Sequence, residues 1–163
     1  VGDLVREVVE ETVRPFCVEK FGVCPEVVVD DKTGVTRALL PPAHLTYPVH
    51  EIMKNACKAV IDHHGAMFCE DAPPIRCHLS STKTLLGIAV EDCGGGLPFA
   101  SPSHALSWFT SSSDQPVGFG YSRTHGAAFA GMGVGLPRSR AFLWRLEGDL
   151  ALGSLPGHGT TAF

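Results

Sequence analysis

At 163 residues, 44% of them hydrophobic and 18% charged, the chain has the size of one folded domain, and its composition excludes intrinsic disorder. A formal net charge of −4 excludes a broad binder of nucleic-acid phosphates. No apolar run approaches the ~20 residues of a membrane span, and Val1-Gly2-Asp3-Leu4 does not read as a signal peptide, so a soluble domain over residues 1–163 is expected.

Leu4, Val5, Val8, Val9, Thr12, Val13 and Phe16 recur at helical spacing, which predicts an amphipathic first helix ending near Pro15 or soon after. Val27-Val28-Val29 reads as a strand, Asp30-Asp31-Lys32-Thr33-Gly34 as a turn, and 35–40 as a second strand. Pro41-Pro42 then opens the longest helix, roughly His44 to His64. Two strands follow at Ile75–Ser80 and Thr84–Glu91, then a short helix near Ser103–Phe109. Residues 111–130 carry only Asp114 and Arg123 as charges and read as a mobile surface loop. A helix from Gly135 to Glu147 and a strand from Asp149 to Leu155 close the chain. The order predicts an α+β fold, a two-layer sandwich of a mixed, mostly antiparallel sheet covered on one face by about three helices.

The six cysteines, at 17, 24, 57, 69, 77 and 93, form no Cys-x-x-Cys pair. Reduced, buried thiols in a reducing compartment are expected, ahead of a metal site at Cys69, Cys77 and His78.

Fourteen of the 18 glycines lie between Gly87 and Gly159, so the second half holds tight turns or backbone that something approaches closely. On the long helix, Leu45, Val49, Ile52, Met53, Ala56 and Val60 form a core-facing stripe. Glu51, Asn55, Lys58 and Asp62 form a polar ridge beside it. A solvated face would show the same ridge. What distinguishes this one is the mixture of an acid able to act as base, an amide oxygen able to hold Mg²⁺, and a cation. Asp92-Cys93-Gly94-Gly95-Gly96 sets a carboxylate at a strand end before three glycines. That arrangement suits an adenine amine, or else a capped turn. Gly131-Met132-Gly133-Val134-Gly135-Leu136 opens a helix whose amides favour phosphate, although no strand precedes it as a dinucleotide fingerprint requires. Gly157-His158-Gly159-Thr160-Thr161 is a further tight turn carrying a hydroxyl, or a plain hairpin turn. Neither a Gly-Lys-Ser/Thr run nor His-Arg-Asp or Asp-Phe-Gly occurs, which excludes a P-loop and a eukaryotic-type protein kinase.

In this order the four segments resemble the boxes of the histidine-kinase-like ATPase superfamily (the Bergerat fold of gyrase, heat-shock chaperone, histidine kinase and mismatch-repair types). Glu51-Ile-Met-Lys-Asn55 stands for its N-box, and Asp92-Cys-Gly94-Gly-Gly96 and Gly131-Met-Gly133-Val-Gly135-Leu for its glycine boxes. Leu136-Pro-Arg-Ser-Arg, Glu147-Gly-Asp-Leu and Gly157-His-Gly159-Thr160 resemble the pattern of the mitochondrial 2-oxoacid dehydrogenase kinases. The resemblance implies a Mg-ATP site in which Glu51 is general base, Asn55 ligates Mg²⁺ and Lys58 reaches phosphate. Asp92 reads adenine with Thr160 assisting, and Gly94 and Gly96 line the base. Ser111 and Ser112 contact nucleotide at the start of an ATP lid, and Gly131, Met132, Gly133, Val134, Gly135 and Leu136 offer backbone to the phosphates. It further implies transfer of the γ-phosphoryl group to a serine of a 2-oxoacid dehydrogenase complex, ATP and ADP as ligands, a mitochondrial matrix location and a homodimer. Neither nucleic acid nor membrane is an expected partner, and the family's N-terminal helical bundle lies outside the stretch that this chain matches. The alternatives are an ATP-gated conformational ATPase module and a histidine kinase catalytic domain. Cys93 departs from an arginine common in the dehydrogenase kinases, and Tyr47 from a histidine found in some of them.

Overall fold

The first 21 residues run on past Pro15. In the computed structural model, which describes residues 1–31, 41–97, 102–110 and 133–163, helix α1 (Gly2–Val8) passes through a π-helical turn (Val9–Val13) into α2 (Arg14–Phe21). The expected end near Pro15 or soon after is therefore moved to Phe21. The wider turn shifts the hydrogen-bond ladder so that the residue without an N–H falls at the start of the next segment, where no donor is needed. Val5, Val8, Val9, Val13 and Cys17 form the buried stripe along this helical unit.

Strand β1 (Val27–Asp31) precedes α3 (Pro42–His64), and the expected strand at 35–40 lies outside the described residues. Next come β2 (Ile75–Ser81), β3 (Leu86–Glu91), a 3₁₀ turn (Pro102–Leu106), α4 (Gly135–Trp144), β4 (Leu152–Leu155) and β5 (Gly159–Ala162). Two expectations at the C-terminal end are corrected. Helix α4 stops at Trp144 rather than Glu147, and Thr160-Thr161 sit in a strand rather than a turn. Arg140 reaches Asp149 with both nitrogens at 2.6 and 3.0 Å, and Trp144 Nε1 donates to the same carboxylate at 2.8 Å, which draws the chain out of the helix.

Among the described residues the strands form one sheet in the order β1-β2-β3-β5-β4, with β1-β2 parallel and every other pair antiparallel. The fold is α+β, a mixed sheet with its helices packed on one side. Strand β2 shows why: Ile75, Cys77 and Leu79 are buried while Arg76 and Ser80 face outward. On the outer side His78 lies between Asp30 and Glu91, 3.4 and 3.6 Å away, as suits a solvated face. Met53, Ala56, Cys57 and Val60 of α3 close the core with Ile75, Cys77 and Val90. Burying each aliphatic side chain of this set contributes roughly 1.5–3 kcal/mol. Helix α3 thereby lies across the sheet, with its polar ridge left beside the β3-β5-β4 end.

Candidate nucleotide-binding site

The ridge of α3 meets the sheet at a pocket walled by Ile52, Ala56, Ala59, Val90, Leu97, Leu136, Leu152 and Ala162, with Asn55, Asp92 and Thr160 as its polar groups. An apolar pocket with a few polar groups is the form small-molecule sites take. Pairing of Glu91 with Thr161 sets the next residue, Asp92, beside Thr160. The Asp92 amide donates to the Thr160 carbonyl at 2.9 Å. Its Oδ1 accepts from the amides of Gly94 and Thr160, at 2.9 and 3.2 Å. Its Oδ2 has no partner among the described residues. Burial pushes the Asp92 pKa up, and the two amide bonds counter that rise in part.

The glycines after Asp92 are required by neighbours on both sides. A Cβ on Gly94 would collide with Ala59 of α3, and one on Gly96, whose φ is +80°, would stand 2.6 Å from the Leu155 carbonyl oxygen. The β4-β5 turn holds the loop in place. Gly95 donates to the His158 carbonyl (3.3 Å), Gly157 to the Gly95 carbonyl (2.8 Å) and Leu97 to Ser154 Oγ (2.8 Å). Ser154 Oγ lies 3.1 Å from Thr160 Oγ1, so a residue that sequence reasoning missed ties the predicted hydroxyl to the glycine loop. Its signal was weak, one serine in a short strand that begins and ends on leucine. Cys93 turns away from the pocket and donates from Sγ to the Pro73 carbonyl at 3.3 Å.

Glu51 sits at the other end of the site with its side chain largely buried. Its Oε1 accepts from Lys54 Nζ at 2.6 Å, a partner absent from the sequence-based set. Its Oε2 lies so near the first residue of α4 that a Cβ on Gly135 would overlap it. Helix α4 has no side-chain cap, so the amides opening it remain available to an anion, beside Glu51 and Leu136. Gly133 and Val134 lead into this start, and the Gly133 carbonyl accepts from the Phe109 amide at 3.0 Å.

The structure thus brings Asn55, Asp92, Gly96, Leu136 and Thr160 around one pocket. Gly94 lies just behind its loop, and Glu51 with Gly133, Val134 and Gly135 lies at its α4 end. Lys58 is committed elsewhere, to an ion pair with Asp62 one turn along α3. Ser111, Ser112, Gly131 and Met132, and the lid at 111–130, lie outside the described residues. The amide of Asn55, exposed at the pocket, has no protein partner among the described residues. A neutral oxygen donor fits Mg²⁺, which takes few protein ligands and keeps its waters.

Residues 44–163 match the family described as histidine kinase-, DNA gyrase B-, and HSP90-like ATPase, and the chain belongs to it as an ATP-binding domain. Its relatives narrow the class. It is 30% identical, over 99% of its own length, to 40% of the mitochondrial pyruvate dehydrogenase (acetyl-transferring) kinase of Drosophila melanogaster. It is 29% identical, over 99% of its length, to 39% of the mouse isozyme 3, and 30% identical, over 93%, to 35% of the human isozyme 1. The chain therefore spans at most 40% of these kinases.

Proposed function

We propose that this chain is the Mg-ATP-binding catalytic domain of a protein serine/threonine kinase that phosphorylates a 2-oxoacid dehydrogenase complex. The observation that carries the reading is the Asp92 carboxylate, fixed through one oxygen and open at the other, at an apolar slot that Asn55 and Thr160 flank. In it the adenine ring lies in the slot and its exocyclic amine donates to Asp92 Oδ2, with Thr160 Oγ1 beside it. Gly94 and Gly96 keep the loop close to the ring. The phosphates run along α3 toward the uncapped start of α4, where the amides of Gly133, Val134, Gly135 and Leu136 meet them, with Gly131 and Met132 just before.

Lys54 holds one oxygen of Glu51, leaving Oε2 to take the proton of the accepting serine as the serine oxygen attacks the γ-phosphorus and ADP departs. Asn55 would hold Mg²⁺, which supplies charge neutralisation on the transferring phosphates when bound. Lys58 reaches phosphate only by releasing Asp62. Ser111 and Ser112 complete the nucleotide contacts in this reading. The mitochondrial names of the relatives support a mitochondrial location, and the reading includes the matrix and a homodimer as parts of the proposal.

The histidine kinase reading places a phosphoacceptor at His50-Glu51. The His50 Nδ1 is 3.0 Å from Thr12 Oγ1, its ring stands edge-on to Phe16, and burial lowers its pKa, so it faces the N-terminal helical unit. The test is γ-phosphoryl transfer by the full-length kinase to a dehydrogenase serine. Glu51→Gln should keep nucleotide affinity and cut transfer by about 10²–10⁴-fold. Phosphate release without transfer would favour the conformational ATPase, and acid-labile phosphohistidine the histidine kinase.

A further inference from the structure

Cys17 of α2, Cys24 of the segment before β1 and Cys57 of α3 reach one point from three separate parts of the chain, with their Sγ atoms all within 4.8 Å of one another. None of the three lines the nucleotide pocket. We propose that these three thiols form a Zn²⁺ site with three protein ligands and one outward position. Zinc–thiolate bonds of ~2.3 Å in tetrahedral geometry set sulfur atoms about 3.8 Å apart, so the cluster closes around the ion with shifts of under about 1 Å. Cys17 and Cys57 are fully buried and Cys24 is partly exposed, which leaves the fourth position on the Cys24 side, where water or a small anion completes the shell.

The charge balance suits a divalent ion. Three thiolates and Zn²⁺ leave one negative charge, and Arg14 is near enough to favour the thiolates of Cys17 and Cys24, although Glu10 holds part of its charge. A monovalent soft ion would leave two. The thiols are also arranged as a partly formed ligand set. Only the thiolate ligates the ion, so the incoming cation displaces the thiol protons. Packing alone, with cysteine as a small hydrophobe, gives no such affinity.

The consequence is mechanical. The ion ties α2 and the 22–26 segment to α3, the helix that carries Glu51 and Asn55. Spacing along the chain hides this site, since no two of its ligands share a short motif, and the cysteine metal set that the sequence reading ranked below plain buried thiols was Cys69, Cys77 and His78.

The test titrates the reduced, chelator-treated chain with Co²⁺ and then Zn²⁺. One equivalent of Co²⁺ should give thiolate-to-cobalt charge-transfer absorption with tetrahedral ligand-field bands, which Zn²⁺ abolishes. Zinc at ~100 times its Kd should raise the Tm by about 5–10 °C. Cys24→Ser, checked for its fold by circular dichroism, should lose the absorption and the Tm rise, while Cys93→Ser should keep both. Absence of the charge-transfer band in the parent chain, or its persistence in folded Cys24→Ser, overturns the proposal. Neither readout depends on kinase activity, so failure here leaves the nucleotide reading untouched.

Discussion

Asp92→Asn separates the two jobs of one carboxylate. The asparagine oxygen can still accept from the Gly94 and Thr160 amides, so the loop between β3 and the pocket keeps its shape. On the proposed reading its NH₂ would take the place of Oδ2 and face the adenine amine donor to donor. The lost bond is one to a charged acceptor, worth about 1.5–3 kcal/mol, which corresponds to a Kd for Mg-ADP raised roughly 10- to 150-fold. Isothermal calorimetry reads this directly. The pH dependence gives an independent check. Burial raises the folded-state pKa of Asp92, so parent affinity should fall as the pH drops through a value above the ordinary 3.8, and the Asn variant should lack that fall. The same shift has a stability sign. A carboxylate with a raised folded pKa opposes folding once it is ionised and does not once it is protonated, so Asp92→Asn should not lower the Tm at neutral pH. An affinity within about twofold of the parent, with the fold intact, would refute the assignment of Asp92 to the base.

Further substitutions probe the frame of the site. Gly135→Ala should leave the Tm unchanged or slightly raised, since alanine favours a helix by ~1 kcal/mol over glycine, yet lower phosphoryl transfer by displacing the Glu51 carboxylate. Unaltered transfer would remove Glu51 Oε2 from the reaction. Gly94→Ala should cost about 1–3 kcal/mol, a Tm drop of roughly 2–12 °C. Ala59→Gly should not restore it, because the backbone of residue 59 also blocks the new Cβ. The Arg140 guanidinium beside Asp149 holds that carboxyl below the ordinary 3.8. Its stabilisation is therefore present above the unfolded value and lost as pH falls through the lower folded value, and Asp149→Asn should flatten that limb of an acid-unfolding curve.

The sequence carried the parts of the fold that rest on local periodicity. The α3 stripe of Val49, Met53, Ala56 and Val60 was readable at 3.6-residue spacing, and the alternation of Ile75, Cys77 and Leu79 at two. What failed depended on a local irregularity in one place and on distant partners in another. Pro15 reads as a stop unless a π-turn absorbs it, and Thr160-Thr161 reads as turn until Glu91 and Gly153 are known to flank it. Of the site, the positions of Asn55, Asp92 and Thr160 at one pocket follow from matching motifs. The engagement of Lys54 with Glu51, of Lys58 with Asp62 and of Ser154 with Thr160 depends on side-chain directions that no motif encodes.

The most direct measurement of the central claim is a crystal structure of the chain with Mg²⁺ and a non-hydrolysable ATP analogue. The account predicts the adenine amine at hydrogen-bond distance from Asp92 Oδ2, the metal on Asn55 and the phosphates at the start of α4. A nucleotide bound elsewhere, or an adenine held without Asp92, would contradict it.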